Sequence, residues 1–234
     1  MITDLLNWFG DSAHWQGPDG IPTRLLQHLG YTVLALVIAL VIAVPLGLYV
    51  GHTGRGGVIL VGAGNTIRAL PTLGLVTFLF LIFTESETAT IIGLVVLAVP
   101  PILAGTYAGL QATDKGVVDA AEGVGMTGWQ RLWKVEVPIS LPLVLGGIRN
   151  AVLQLVATAA VAAYVGLGGL GRFLLDGLAV LDYSQVVAGA ILTTLLAIVL
   201  DLILAAVQRA LVPKGVRLAA AAASGKTVIV GGAA

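Results

Sequence analysis

The stretch LGYTVLALVIALVIAVPLGLYV, residues 29–50, decides the fold class of this chain. It contains no charged side chain and is almost entirely apolar. A helix that crosses the hydrocarbon core of a bilayer needs about 20 consecutive, mainly apolar residues. Residues 29–50 therefore predict a transmembrane helix, against which the rest of the chain can be compared.

The composition of the whole chain points the same way. Of its 234 residues, 58% are hydrophobic, 31 are glycine and only 10% are charged, whereas soluble domains carry about 25% charged residues. Twelve basic residues balance twelve acidic ones. These values exclude a soluble globular domain, a disordered chain and a nucleic-acid-binding protein that works through positive charge. We expect lipid around the chain and no nucleic-acid partner.

Four further segments resemble the first one in apolar character. They are residues 66–83, 88–110, 142–165 and 185–207. The segment 66–83 reaches full length only if the apolar run is extended back past Arg68, whose charge would then reach one membrane surface. The sequence thus predicts an all-α, polytopic integral membrane protein of about five transmembrane helices.

The basic residues predict the orientation of these spans. With the N-terminus outside, eight Lys and Arg residues fall on the cytoplasmic side, at positions 55, 115, 131, 134, 209, 214, 217 and 226. The positive-inside rule therefore predicts an external N-terminus and a cytoplasmic C-terminus. The chain divides into an external segment (1–27), a transmembrane domain (28–212) with a cytoplasmic loop (111–141), and a cytoplasmic tail (213–234) that we expect to be disordered. The first twenty residues predict no cleavable signal peptide.

Side chains that carry enzymatic or metal chemistry are scarce. The chain has no cysteine, and its three histidines are scattered, which argues against a metal site. The spans contain neither a pair of carboxylates nor a Ser–His pair at one depth, so we predict no catalytic residue. The tail reads SGKT at 224–227, but Ala220 stands where a nucleotide-binding P-loop needs glycine. We therefore expect no cofactor in this chain.

The cytoplasmic loop 111–141 is too long and too amphipathic to be a simple connector. Residues 117–122 predict a short helix with Asp114 as its N-cap. Residues 129–134 predict a second one, on which Trp129 and Trp133 share a face. These tryptophans fit an anchor at the membrane surface and a contact with a cytoplasmic partner equally well.

The loop also carries a recognisable motif. Asp119-Ala120-Ala121 is followed after three residues by Gly125, and after nine more by Val135-Glu136-Val137-Pro138. This pattern resembles the EAA loop of ABC-importer permeases, with Asp for Glu and Val for Ile and Leu. Two further stretches, 66–71 (TIRALP) and 166–173 (GLGGLGRF), resemble permeases for betaine, carnitine and choline. The chain thus resembles the osmoprotectant branch of the type I, binding-protein-dependent importers.

The resemblance implies a role and a set of partners. Such a permease pairs with a second copy or a homologous chain in the bacterial inner membrane. ABC ATPase subunits bind the ATP, and an extracytoplasmic binding protein delivers the substrate. The implied substrate is a small quaternary ammonium or zwitterionic osmolyte: glycine betaine, carnitine, choline or proline betaine. The implied ATPase-coupling residues are Asp119, Ala120, Ala121, Glu122 and Gly125.

Charged and polar side chains within the spans suggest further sites. Arg149 and Asp201 lie at matching depths on spans that run in opposite directions, which predicts an ion pair, although each could reach water separately. Four other side chains could line a transport pathway or form hydrogen bonds between helices. They are Asn65, Arg68, Asn150 and Gln154.

Alternative functions remain compatible with the sequence. The same type of importer could carry another small solute, such as the amino acid methionine. An ion-coupled secondary transporter would instead show inverted repeats and a site at the membrane midplane, and we find no such repeat. A purely structural membrane protein would leave the loop 111–141 and the buried charges without a role.

Overall fold

Four long helices form the body of the protein in a computed structural model that describes residues 2–83 and 85–218. Shorter helices flank them at both ends. The helices are α1 (Ile2–Gly10), α2 (Ile21–Thr53), α3 (Gly57–Arg68), α4 (Thr72–Phe83), α5 (Ser86–Gln111), α6 (Lys115–Gly123), α7 (Gly128–Arg131), α8 (Val137–Ala162), α9 (Gly171–Ala179) and α10 (Tyr183–Leu211). A π-helical turn, Leu132–Glu136, joins α7 to α8, and 3-10 turns cover Ser12–Trp15 and Ala163–Val165.

Four helical segments within the described residues are long and apolar enough to cross a membrane. They are Ile21–Thr53, Glu87–Gln111, Gly128–Val165 and Tyr183–Leu211. They confirm the spans predicted at 29–50, 88–110, 142–165 and 185–207. Each is longer than predicted: α2 has 33 residues, or about 50 Å at 1.5 Å per residue, against a hydrocarbon core of about 30 Å.

The span predicted at 66–83 is not one continuous helix. The chain forms α3 and α4, of 12 residues each, with a break at 69–71. Pro71 explains the break, because proline disfavours helical geometry in the residue before it and lacks the amide hydrogen that a continuing helix needs. Each half is only about 18 Å long, so neither is long enough to cross the bilayer core alone.

Small residues bring the central helices into close contact. α5 packs between α2 and α8. Ala35, Ala39 and Ala43 recur every fourth residue on α2 and are fully buried in this interface. On the other side, Gly105 of α5 lies so close to α8 that an added Cβ would lie 2.8 Å from the Cα of Gly147. Small side chains at fixed helical spacing are the usual basis of close helix packing in membranes.

The N-terminal segment and the loop 166–182 contain helices that pack together. Trp8 of α1 is buried, and its ring meets that of Phe173 on α9 edge to face at 5.5 Å. α9 in turn packs against α10. We call this side of the bundle the α1 end, and the opposite side, which carries α6, the α6 end. Residues 214–218 of the tail are helical, and 219–234 lie outside the described residues.

Candidate coupling site and intramembrane charge pair

The predicted helix at 117–122 is confirmed as α6, and its first turn is capped as expected. The side chain of Asp114 accepts hydrogen bonds from the backbone N–H groups of Gly116, at 2.7 Å, and Val117, at 3.3 Å. The chain leaves the helix through Gly125, whose φ of +82° is a left-handed conformation. Glycine adopts this conformation at little cost, which explains its place in the motif.

The five residues predicted to couple to an ATPase differ in their exposure and contacts. Asp119 and Ala120 are exposed, and Asp119 has no hydrogen bond or ion pair to any residue in 2–83 or 85–218. Ala121 is 6% exposed and packs into its own chain. Glu122 forms an ion pair with Arg131. Asp119 and Ala120 are therefore the two side chains of the motif that are free to contact another protein.

The second short helix in this loop differs in form from the prediction. α7 begins with a capping box, in which Thr127 and Gln130 each bond the other's backbone N–H, and it ends at Arg131, where the π-helical turn follows. Trp129 and Trp133 do share a face, with ring centroids 5.5 Å apart. Both are exposed and line an apolar groove of about 450 Å³ against Tyr49 of α2.

A charged cluster that the sequence analysis did not identify lies beneath α6. Glu136 Oε2 is 2.6 Å from His52 Nδ1, and Glu136 Oε1 is 2.7 Å from Arg131 Nε. Arg131 continues the chain of contacts to Glu122 on α6. We call these four residues the Glu136 cluster. The available signal was an acidic residue at the start of an apolar span, where a charge needs a partner.

Arg149 and Asp201 are in direct contact between α8 and α10. Nη2 of Arg149 lies 2.8 Å from both carboxylate oxygens of Asp201, and Nε lies 2.9 Å from Oδ1. Gln208 joins them: it accepts from Arg149 Nη1 at 3.2 Å and donates to the carbonyl oxygen of Pro142 at 3.0 Å. The pair is about 30% exposed and borders a cavity of about 510 Å³ at the α6 end.

The pathway candidates are not gathered into one site. Asn150 and Gln154 lie one turn apart on α8, Asn150 exposed and Gln154 half-buried, and neither has a hydrogen bond to a described residue. Asn65 and Arg68 lie in helix α3, and their side chains are outside the part of the chain that the structure describes. Within the described part of the chain, no three His, Cys, Asp or Glu side chains are grouped to hold a metal ion.

A second unforeseen site lies at the α1 end, where His28 is fully buried. Its Nδ1 accepts a hydrogen bond from the backbone N–H of Leu170 at 3.3 Å, so Nε2 carries the proton and donates to the carbonyl oxygen of Val156 at 3.1 Å. Gln27 accepts from the N–H of Gly169 at 3.0 Å. These bonds fasten the glycine-rich loop 166–171 to α2 and α8.

Comparison with known proteins places these features in a family. Residues 43–215 match the family described as binding-protein-dependent transport system inner membrane component. The glycine betaine/carnitine/choline transport system permease protein of Bacillus subtilis (strain 168) is 32% identical over 191 residues, which cover 82% of this chain and 88% of that one. An osmoprotectant import permease protein of Salmonella typhimurium (strain LT2) is 36% identical over 220 residues, 92% and 100% of the two chains.

A solved structure shares the fold. A chain of the methionine ABC transporter MetNI, in an inward-facing conformation, superposes with a TM-score of 0.69 over 80% of this chain and 94% of that one, at 24% identity. At this level of identity the likeness concerns the fold alone. The family match extends over most of the chain, from the last third of α2 to beyond the end of α10. The chain therefore belongs to the inner membrane components of binding-protein-dependent transport systems, the permease subunits of ABC importers.

Proposed function

We propose that this chain is the translocation subunit of an ATP-driven importer for a small quaternary ammonium or zwitterionic osmolyte. Glycine betaine, carnitine, choline and proline betaine form this class. The observation that carries the proposal is α6, a capped helix that leaves Asp119 and Ala120 exposed and contacts chiefly the adjoining turns of its own chain. The relatives, named for osmoprotectants of this class, support the choice of substrate.

In the proposed mechanism, the ATPase subunits bind α6 at the cytoplasmic surface. Ala120 allows the backbone of α6 to approach the ATPase closely, and Asp119 offers a carboxylate to a basic group. Ala121 anchors α6 to its own chain, because its side chain is buried there. Gly125 provides the left-handed turn that sends the chain back toward the membrane. Movement of the ATPases on binding ATP then displaces α6 and switches the pathway between its inward and outward states.

The chain itself contributes little to substrate selection in this proposal. Cation–π attraction to aromatic rings is the usual means of recognising quaternary ammonium groups. Ring contacts among the described residues lie at the two ends of the bundle, around Trp8 and between Trp129 and Trp133. We therefore assign recognition to the extracytoplasmic binding protein. The neutral amides of Asn150 and Gln154 suit a pathway that a zwitterion crosses without being held.

The pathway forms between this chain and a second permease, either another copy or a homologous chain. Asn150 is exposed on a membrane-spanning helix without a partner in its own described chain. A polar group in that position needs water or another protein to satisfy it. Arg149 and Asp201 hold α8 and α10 together while the spans move, because their paired charges remain satisfied as long as the two helices stay in contact.

Uptake into proteoliposomes tests the proposal. The chain would be reconstituted with its ATPase and binding protein, and uptake of radiolabelled glycine betaine, carnitine, choline and methionine would be measured with and without internal ATP. We expect ATP-dependent uptake of at least one osmolyte. Uptake driven by a sodium or proton gradient without the ATPase would establish a secondary transporter instead. ATP-dependent uptake of methionine alone would retain the importer and overturn its substrate class.

A matched pair of substitutions tests the docking role of α6. Ala120→Trp places a bulky side chain on the exposed face of α6, and Ala13→Trp makes the same change on an exposed position at the α1 end. We expect the first variant to lose co-purification with the ATPase and stimulated ATP hydrolysis, and the second to keep both. Full ATPase binding by the Ala120 variant would remove α6 from the interface.

A further inference from the structure

A buried carboxylate connects the α6 end to the long helices. Glu136 is the last residue of the π-helical turn, and its side chain is only 6% exposed. Its two oxygens have different partners, His52 on α2 and Arg131 on α7. A carboxylate oxygen accepts hydrogen bonds, so the N–H at Nδ1 of His52 is the donor to Oε2, and Arg131 Nη2 lies 3.4 Å from the same nitrogen. The buried charge therefore depends on two separate helices at once.

The energetic consequence is that these helices are tied together. A buried ion that loses one partner stays desolvated without a compensating attraction. The resulting loss of stability is much larger than the loss from breaking an exposed ion pair. His52 and Arg131 are themselves mostly buried, with side chains 19% and 17% exposed. Separating α2 from α7 would thus leave Glu136 unsatisfied on one side, and the two helices are expected to move together.

Arg131 extends this link to α6. Besides Glu136 it pairs with Glu122, which lies on α6 and is 55% exposed. α6 has its main contacts with α7 and the π-helical turn. Arg131 is therefore the side chain through which a displacement of α6 reaches the buried part of the cluster.

The far side of the cluster belongs to two of the candidate spans. The π-helical turn lies within the continuous helical segment Gly128–Val165, so Glu136 stands at the base of α8. His52 lies in the last turn of α2. Close packing adds to the contact, since a Cβ at Gly128 would lie 3.4 Å from Nε2 of His52. A force on Arg131 thus acts on α2 and α8 at the same time.

We infer that Glu136, His52 and Arg131 are positioning residues that transmit the movement of α6 to α2 and α8. The inference rests on the proposed function, in which the ATPase moves α6. None of the three residues is assigned a contact with substrate or nucleotide. Their role is to couple ATP hydrolysis to transport, which is separate from the docking role of Asp119 and Ala120.

The decisive quantity is the number of osmolyte molecules taken up per ATP hydrolysed. Glu136→Gln keeps the shape of the side chain and removes its charge. In the reconstituted complex we expect normal co-purification with the ATPase, continued ATP hydrolysis and a fall in uptake per ATP of about tenfold. The control is Lys134→Gln, a charge removal in the same turn at an exposed position outside the cluster. A ratio for Glu136→Gln equal to that of the control overturns the inference.

A milder variant covers the case in which Glu136→Gln does not assemble. His52→Gln leaves the Glu136–Arg131 contact intact and should lower uptake per ATP by a smaller factor, about threefold. Arg131→Lys, which keeps the charge, should retain more coupling than Arg131→Gln. If none of the variants at 52, 131 and 136 binds the ATPase, the cluster serves folding alone and the inference is overturned.

A distance measurement tests the mechanical link directly. The chain has no cysteine, so spin labels can be placed at Val117→Cys on α6 and Tyr49→Cys on α2, both exposed positions. In the wild-type complex we expect the same label distance with and without ATP, and in Glu136→Gln a nucleotide-dependent change. A nucleotide-dependent change in the wild-type complex would overturn the rigid link. Failure of the proposed function appears separately, as absent ATP-driven uptake by the wild type.

Discussion

The two ends of α2 are attached to the rest of the protein in different ways. Each carries a histidine in contact with a distant part of the chain, His28 at the α1 end and His52 at the α6 end. His28 is fully buried, and its partners are backbone groups of Leu170 and Val156. His52 has a charged side chain, Glu136, as its partner.

The difference separates an end that is fixed in place from an end whose helices can move together. Backbone partners hold the loop 166–171 in one position, because a backbone N–H or carbonyl group cannot rotate to follow a displaced neighbour as a side chain can. Side-chain ion pairs such as Glu122–Arg131 and Arg149–Asp201 keep the same partners while the helices that carry them move together. This contrast suits a permease in which the α6 end receives movement and the α1 end maintains the fold. Four sets of substitutions test this contrast, and they follow in order of decreasing expected effect.

Charge reversal at the Arg149–Asp201 pair has the largest expected effect. Arg149→Asp and Asp201→Arg each place like charges together in the membrane, at a cost of about 4 kcal/mol in the free energy of unfolding, and each should abolish uptake. The double variant restores opposite charges and should recover uptake. Recovery is expected because both partners are side chains; a double variant as inactive as the singles would contradict the pairing role.

Gly171→Ala should have the next largest effect, at the α1 end. A Cβ at Gly171 would overlap the carbonyl oxygen of Ala160, a backbone atom that cannot turn aside. We expect a loss of about 3 kcal/mol in stability, read as a lower midpoint in thermal unfolding of the purified protein. Gly146→Ala is the control, because a Cβ there meets no atom within 4 Å. Equal midpoints for the two variants would show that the α1 end is less rigid than its packing suggests.

His28→Leu tests the hydrogen bonds at the α1 end separately from packing. Leucine preserves most of the volume but leaves the N–H of Leu170 without its partner, and it removes the second hydrogen bond to the carbonyl of Val156, which keeps its helical bond within α8. The expected loss is about 2 kcal/mol in the free energy of unfolding. Uptake per ATP should stay normal in the molecules that remain folded. A change in that ratio would assign His28 a coupling role and erase the contrast between the two histidines.

Gly125→Ala has the smallest expected effect, confined to the loop that holds α6. At a φ of +82°, alanine is strained by about 1 kcal/mol, while open space surrounds the position. We expect an almost unchanged unfolding midpoint and several-fold weaker ATPase binding. Gly123→Ala is the matched control, since it also meets open space but has no left-handed φ. Equal ATPase affinity for both variants would show that the turn at Gly125 does not set the docking geometry.

Much of the fold could be predicted because membrane spans are encoded locally. Runs of apolar residues identified α2, α5, α8 and α10, and the N-cap Asp114 and the following glycines identified α6. Depth along two antiparallel spans was enough to suggest the Arg149–Asp201 contact, which the structure places at 2.8 Å. Pro71 indicates the break between α3 and α4, but the prediction of a single span at 66–83 rests on hydropathy alone.

The two histidine sites could not be predicted in the same way. His28 bonds a carbonyl 128 residues away, and His52 bonds a carboxylate 84 residues away. No periodicity or motif links such positions, because the contacts arise only when the helices pack. The exposure of Ala120 and the burial of Ala121 also depend on how α6 packs against α7. Residues close to them in the sequence do not determine that packing.

The π-helical turn Leu132–Glu136 has a consequence for how related chains should be aligned. Such a turn amounts to one residue inserted into an otherwise regular helix. Deleting a single residue between Arg131 and Glu136 would wind the segment into ordinary α-helix with little rotation of α7 relative to α8, because the turn holds about one residue more than a turn of α-helix. Arg131 and the glutamate would then be four positions apart, a spacing that keeps two side chains on one face of an α-helix. Homologues that lack one residue in this turn are thus expected to keep the Arg131–Glu136 pair as an ordinary i,i+4 ion pair, and their alignment gap belongs between these two positions.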